Sequence, residues 1–501
     1  MGRHKRFFIK CMFFLLALIL CVLLVNRILM PKAFRDNMWP TTATYLGFYE
    51  MEKDSVDVLW LGSSHGAAGF IPQRLYDQYQ ITSYNLSCEH QNMVVTYYWL
   101  KEALKSQSPK LVVLDTYMLF ECQPKEALNG QEACTRKAMD YMHFDEVKWE
   151  AVNDICRLDE KQKRISYYMP NIRFHERWKS LEEDDFVFDE MCTHYELKGY
   201  APLLLQGGSE AYAPYEPDES APEGETVPLM EEYFYKINEL CKEQNIPLLL
   251  VKTPAVAMNV QRNRTLYRIA DTCGLILYDL NEKERYEAMN FAFATDMNDD
   301  GHANVNGAEK ITDYIGEKIS AMYGLRKKED ARWQETAAFY EGTKASYRLC
   351  HEEDLAEYLS MLQNDRFTAF MAVQDEGSMG LSEEAVQGMK ALGLKPELQG
   401  GFRKSYLAVC GKECFEQCED RLLTKEGTIR GGRVRYQLVS GGNEWGNTCS
   451  VMIDGTEYAL KQRGLNIVVY DNVAKKVIDQ VCFDTCDPKM QAYRNGAEKG
   501  E

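Results

Sequence analysis

Polarity divides the start of the chain sharply: Arg3, Lys5, Arg6 and Lys10 precede an uninterrupted apolar run from Cys11 to Val25. Taken as one helix, Phe7 to Val25 is roughly 28 Å long. That matches the hydrocarbon core of a bilayer, with the Lys10 ammonium reaching the boundary along its apolar stem. The following residues, Asn26-Arg27-Ile28-Leu29-Met30-Pro31, lack the small-x-small pattern of a cleavage site, so the run is expected to remain as an anchor. Basic residues also follow it, at Arg27, Lys32 and Arg35, but the short leading tail favours a cytoplasmic amino end with the rest of the chain outside.

Beyond residue 54 short apolar runs alternate with helical periodicity. Val56–Leu61, Pro247–Val251 and Leu275–Leu280 read as buried strands, Met230–Cys241 and the region around Leu266 as helices. Such alternation predicts an α/β fold, a parallel sheet with helices on both faces. A polar and aromatic stretch, about 120–202, interrupts it and reads as an inserted helical lobe; Trp149, Trp178, His143, His175 and His194 are its packing or surface residues, or else line a cleft. Residues 207–228, rich in Glu, Pro, Gly and Ala, predict a flexible loop or disordered insertion.

After the charged stretch 326–332 the pattern becomes β-rich. Phe367–Val373, Leu465–Tyr470 and Val477–Phe483 are strand-like, Ser382-Glu383-Glu384 caps a helix that Gly393 ends, and Asp454-Gly455 between apolar runs signals a hairpin. The expected organisation is a tail and anchor over 1–35, an α/β domain over 54–325 with its insertion at about 120–228, a linker over 326–349, a β-rich domain over 350–486 and a polar tail over 487–501.

With 501 residues and 45% hydrophobic positions the chain has material for two cores. A net charge of −18 argues against nucleic acid as a partner, since phosphate binding calls for basic patches. The sixteen cysteines are compatible with disulfides outside the membrane or with free thiols, and the absence of Cys-x-x-Cys argues against a structural zinc site.

Candidate chemistry lies at the carboxyl end of the first strand, Leu59-Trp60-Leu61-Gly62-Ser63-Ser64-His65, and in Asp299-Asp300-Gly301-His302. Ligands in open parallel sheets bind at that end of the strands. A serine becomes a nucleophile when a histidine takes its proton, and a carboxylate orients that histidine, so Ser64, His302 and Asp299 form a complete set. The structural reading is that Ser63-Ser64 is an ordinary helix cap. Asp296, Asn298, Asp300 and Gly301 also match the first half of a calcium loop, but its twelfth position, Gly307, has no carboxylate.

On these residues the region 54–325 resembles the SGNH (GDSL-like) hydrolase superfamily, in particular a membrane-anchored branch with alginate-type O-acetyltransferases and the D-alanyl transfer protein of teichoic acid synthesis. The resemblance implies a flavodoxin-like sheet, Ser64 as nucleophile, and Asp299 and His302 as its partners. Ser108-Pro109-Lys110-Leu111-Val112-Val113-Leu114-Asp115 and Ile246–Pro254 are similar to family strands. The oxyanion donors would be Ser64 and two departures from the family pattern, His90 in place of a glycine and Tyr117 in place of an asparagine. The resemblance calls for no metal or organic cofactor and, for a transferase, implies a partner membrane-bound O-acyltransferase.

Residues 350–486 are similar to the ILEI/PANDER-like domain, through Val373–Met379, Leu381–Ala385, Arg403-Lys404-Ser405-Tyr406, Arg463–Val469 and Phe483-Asp484-Thr485. A similar domain forms the glycan-binding stem of a protein O-mannose N-acetylglucosaminyltransferase, whereas secreted relatives act as cytokine-like signals, so the fold alone fixes no ligand. The resemblance implies a carbohydrate-binding module, with Asp375, Glu376 and Arg403 serving either the ligand or the turns. The joint expectation is a single-pass cell-membrane protein whose extracytoplasmic serine esterase or O-acyltransferase acts on cell-surface polysaccharide. The alternative is a non-catalytic glycan-binding scaffold with a degenerate hydrolase fold.

Overall fold

The computed structural model describes residues 3–30, 41–121, 132–169, 171–181, 183–186, 195–325 and 330–494. His194, Lys32 and Arg35 therefore lie outside the described residues. The chain divides into two compact units, Met1–Ala337 and Ala338–Glu501.

The amino-terminal helix runs Arg3–Leu29, and its Lys5–Leu29 stretch, whose most apolar 18-residue window has a mean hydropathy of 3.0 and is unburied, is long and apolar enough to cross a membrane. In the body of the first unit five strands pair in parallel: β1 Val58–Gly62, β2 Ser83–Ser87, β3 Leu111–Asp115, β4 Leu248–Lys252 and β5 Ile276–Asp279. Their order, β2-β1-β3-β4-β5, is a common doubly wound arrangement whose switch point lies between β1 and β3. The continuous apolar runs follow from burial of both sheet faces. Leu59 and Leu61 enter a core with Trp99 and Phe234, from helices Met93–Ala103 and Pro228–Glu243, while Trp60 points the other way and stacks on Phe70.

The stretch expected as an inserted lobe holds the helices Glu132–Asp140, Glu146–Leu158, Ile165–Tyr168 and Asn171–Phe174 between β3 and β4. The stretch expected as a flexible loop or disordered insertion forms no helix or strand over residues 207–227, before the helix Pro228–Glu243 begins, but is packed into the unit. Gly207 N–H donates to Met297 O (3.0 Å), the Tyr212 ring stacks on Phe293 (3.9 Å), and the Tyr215 hydroxyl donates to Asp279 (2.6 Å). Two tyrosines supply the apolar surface that its acidic, Pro/Gly-rich composition concealed.

In the second unit, antiparallel pairings build two sheets. One is ordered β15-β14-β13-β6-β7-β8, from β6 Phe367–Gln374, β7 Ser405–Cys410, β8 Phe415–Glu419, β13 Gly464–Asp471, β14 Lys476–Phe483 and β15 Ala492–Tyr493. The other is ordered β12-β11-β10-β9, from β9 Leu423–Ile429, β10 Val434–Gly441, β11 Thr448–Ile453 and β12 Thr456–Glu457. β6 is buried on both faces: Met371 and Val373 meet helices Leu355–Met361 and Glu383–Ala391, whereas Phe370 and Ala372 meet the second sheet.

The helix Glu383–Ala391 is capped by Ser382, and Asp454 and Gly455 both take positive φ in the hairpin joining β11 to β12. The Glu376 carboxylate accepts hydrogen bonds from the backbone N–H groups of Ser378, Met379 and Arg403, so it holds the turns around it. The stretch expected as a linker holds the helix Ala331–Leu349. In this unit Cys350, Cys410, Cys414, Cys418, Cys449, Cys482 and Cys486 are free thiols.

Candidate active site

β1 ends in a glycine for a spatial reason. A Cβ at Gly62 would lie 2.8 Å from Asp115 Cβ, so only glycine lets the ends of β1 and β3 approach this closely. The chain then turns into the short helix Ser64–Gly69, with the Ser63 hydroxyl accepting from His65 N–H (3.4 Å) as its cap. Ser63 thus takes the capping role, and Ser64 stands in the first turn at the carboxyl edge of the sheet.

The opposite wall is a tight loop closed by Asn298 N–H donating to His302 O (2.8 Å). It runs directly into the helix Val305–Met322, capped by Asn304, whose side chain accepts from Gly307 N–H (3.1 Å) and donates to Leu205 O and Thr295 O. Inside the loop Asp299 accepts from the N–H groups of Gly301 (2.9 Å) and His302 (3.0 Å) and lies 2.8 Å from His302 Nδ1. His302 Nε2 is 2.9 Å from Ser64 Oγ. With Nδ1–H donating to Asp299, the neutral ring leaves Nε2 to accept the Ser64 hydroxyl. Burial works to raise the Asp299 pKa, but its bonds to His302, the charge His302 carries when protonated, Gly301 N–H and the Asn298 amide together hold it down at about 2.

The groups of the calcium-loop pattern are spent elsewhere. Asp296 is fully buried and pairs with Lys310 (2.6 Å), Asp300 accepts from Ser209 N–H (2.9 Å), and Asn298 Oδ1 accepts from Leu205 N–H (3.0 Å). Among the described residues no three His, Cys, Asp or Glu side chains gather as a metal site.

The remaining oxyanion candidates are placed differently from one another. His90 occupies an exposed turn with φ +46°. Tyr117 lays its ring on the His65 imidazole (centroids 3.7 Å apart). Burial, reinforced by Glu121, pushes the Tyr117 pKa up to about 12. The exposed rings of the lobe, Trp149, Trp178, His143 and His175, are surface residues rather than parts of this constellation.

Behind Ser64 and His302 sits a buried polar cluster that motif reading passes over. Lys252, at the end of β4, is fully buried; its Nζ donates to Thr253 O (2.8 Å) and lies 3.4 Å from His65 Nδ1 and 3.9 Å from Asp115 at the end of β3. The His65 ring is itself 4.9 Å from that of His302. Burial pulls the Lys252 pKa down, with Asp115 acting against it, and burial with the Lys252 charge holds His65 well below the usual imidazole range. His65 is therefore neutral near pH 7; the Lys252 contact at Nδ1 leaves the proton on Nε2. The signal in the sequence is a charged residue directly closing an apolar strand, twice. No protein family and no curated protein matches this chain.

Proposed function

We propose that the chain is a membrane-anchored serine esterase or O-acyltransferase of SGNH type that acts on extracytoplasmic polysaccharide. The observation that carries the reading is the hydrogen-bonded row Ser64 Oγ, His302 Nε2, His302 Nδ1, Asp299. In this reading the Ser64 oxygen attacks an ester carbonyl while its proton passes to His302 Nε2, and Asp299 stabilises the imidazolium. The tetrahedral oxyanion faces the Ser64 N–H, with His90 and Tyr117 as further candidate donors. Collapse expels the alcohol, which takes the proton from His302, and leaves an acyl-serine. Water or a sugar hydroxyl then attacks the acyl carbon, giving its proton to His302, and Ser64 leaves with that proton.

The anchor helix would hold this site outside the cell, and the ILEI/PANDER-like unit would bind the glycan. For a transferase, a membrane-bound O-acyltransferase would deliver the acyl group. One observation favours a second reading, a glycan-binding scaffold: the ring of Tyr117, a candidate oxyanion donor, is stacked on the His65 imidazole. A fluorophosphonate probe separates the two. Labelling of the full-length protein that disappears in both Ser64→Ala and His302→Ala is the expected result; a folded native protein that takes no label overturns the enzymatic reading.

A further inference from the structure

Large apolar side chains are normally removed from water, and a contiguous exposed set marks a surface with a partner. The lobe between β3 and β4 carries such a set in Phe144, Ile165, Met169, Ile172, Trp178 and Phe186, with Phe144 73% and Trp178 66% exposed. Phe144 meets Tyr168 edge-on (5.2 Å), and the other five follow one another between residues 165 and 186.

This run is tied to the end of the amino-terminal helix. Asn171 N–H donates to Asn26 Oδ1 (2.9 Å), Arg177 Nη1 donates to Leu29 O (2.8 Å), and Leu29 is only 7% exposed, whereas the apolar residues earlier in that helix are open. If Phe7–Val25 fills the hydrocarbon core, as about 1.5 Å per residue requires, Asn26–Met30 stand at its boundary. The two hydrogen bonds then hold residues 171–177 at the same depth. Exposed basic residues, Lys161, Lys163, Arg164 and Lys179, flank the apolar set. Apolar and tryptophan side chains bordered by lysine and arginine are the composition of a segment lying in the headgroup layer.

We infer that residues 165–169 and 171–181, with Phe144 and Phe186, form a second membrane contact that rests in the interface of the bilayer holding the anchor; this rests on the anchor reading above. Its occupant is phospholipid, at the boundary of headgroup and acyl chain. The body would then be seated against the membrane at a fixed tilt rather than tethered at one point.

The anchor helix contains no tryptophan, so its own insertion is silent in indole fluorescence. Full-length protein carrying Trp39→Phe, which removes the tryptophan nearest the anchor in sequence, is reconstituted in phosphatidylcholine vesicles with or without bromine near the carbonyl end of one acyl chain. Brominated lipid is expected to lower the emission, and adding Trp178→Phe to abolish most of that loss. At its exposure Trp178 contributes little to folding, so this substitution leaves the protein intact. An emission loss unchanged by Trp178→Phe, or no loss in protein that floats with the vesicles after an alkaline wash, overturns the interfacial contact. Protein that fails to float overturns the anchor reading, and this inference with it.

Discussion

Ser64, His302 and Asp299 form the row on which the proposed chemistry depends, but the residues beneath them set its electrostatics. His65 is buried beside Lys252 and is held neutral, which has a consequence for stability. The unfolded chain binds a proton at this position below about pH 6.5, whereas the folded one does not until much lower pH. Stability contributed by the neutral histidine is thus intact above that pH and falls as the pH drops, by about 1.4 kcal/mol per unit. Urea unfolding of native protein and His65→Gln from pH 7 to pH 5 is expected to show a steeper decline in the native protein. Parallel declines would mean that His65 takes up its proton in the fold. Neither the burial of His65 nor its partner was legible in Gly-Ser-Ser-His, because Lys252 is brought to it only by the sheet.

At the scale of elements, the caps and strand ends aim the side chains. Asn304 starts the helix Val305–Met322 two residues after His302 and ties Leu205 and Thr295 to it, so Asn304→Ala removes a cap and two further side-chain hydrogen bonds. A drop of about 1 kcal/mol or more is expected from the cap alone, together with slower fluorophosphonate labelling as His302 loses its mooring. Ser382→Ala removes the equivalent cap of Glu383–Ala391 in the other unit; it should cost a similar ~1 kcal/mol and leave labelling unchanged. Equal labelling rates in the two variants would show that the loop holds His302 without the helix. Element starts were readable because a cap acts within three residues: Ser382 was legible as one. The helix after His302, by contrast, begins at Val305 and is capped by Asn304, a start that the nearby Asn298 and Asn306 leave ambiguous in the sequence.

In the whole molecule, the two units divide the proposed labour: the ester chemistry belongs to Met1–Ala337 and the glycan contact to Ala338–Glu501. Sugar binding by the full-length protein on a glycan array is therefore expected to survive Ser64→Ala unchanged. Binding that is lost with the serine hydroxyl would place the glycan in the first unit, and no binding at all would remove the case for polysaccharide as substrate. The sequence by itself determined what depends on neighbours along the chain. This covers the apolar helix at the start, the buried strands with their alternation of helices, the caps, the Asp-Gly hairpin, and the Asp-x-x-His loop, whose hydrogen bonds close within three residues. Only the tertiary structure decided what depends on residues far apart in the chain: the sheet order that carries Asp115 and Lys252 to His65, the packing of residues 207–228 through Tyr212 and Tyr215, and the exposed apolar rim beside the anchor. The physical reason is common to all three. Polarity patterns record that a side chain is buried or exposed, but the partner that buries it is chosen by the packing of distant segments.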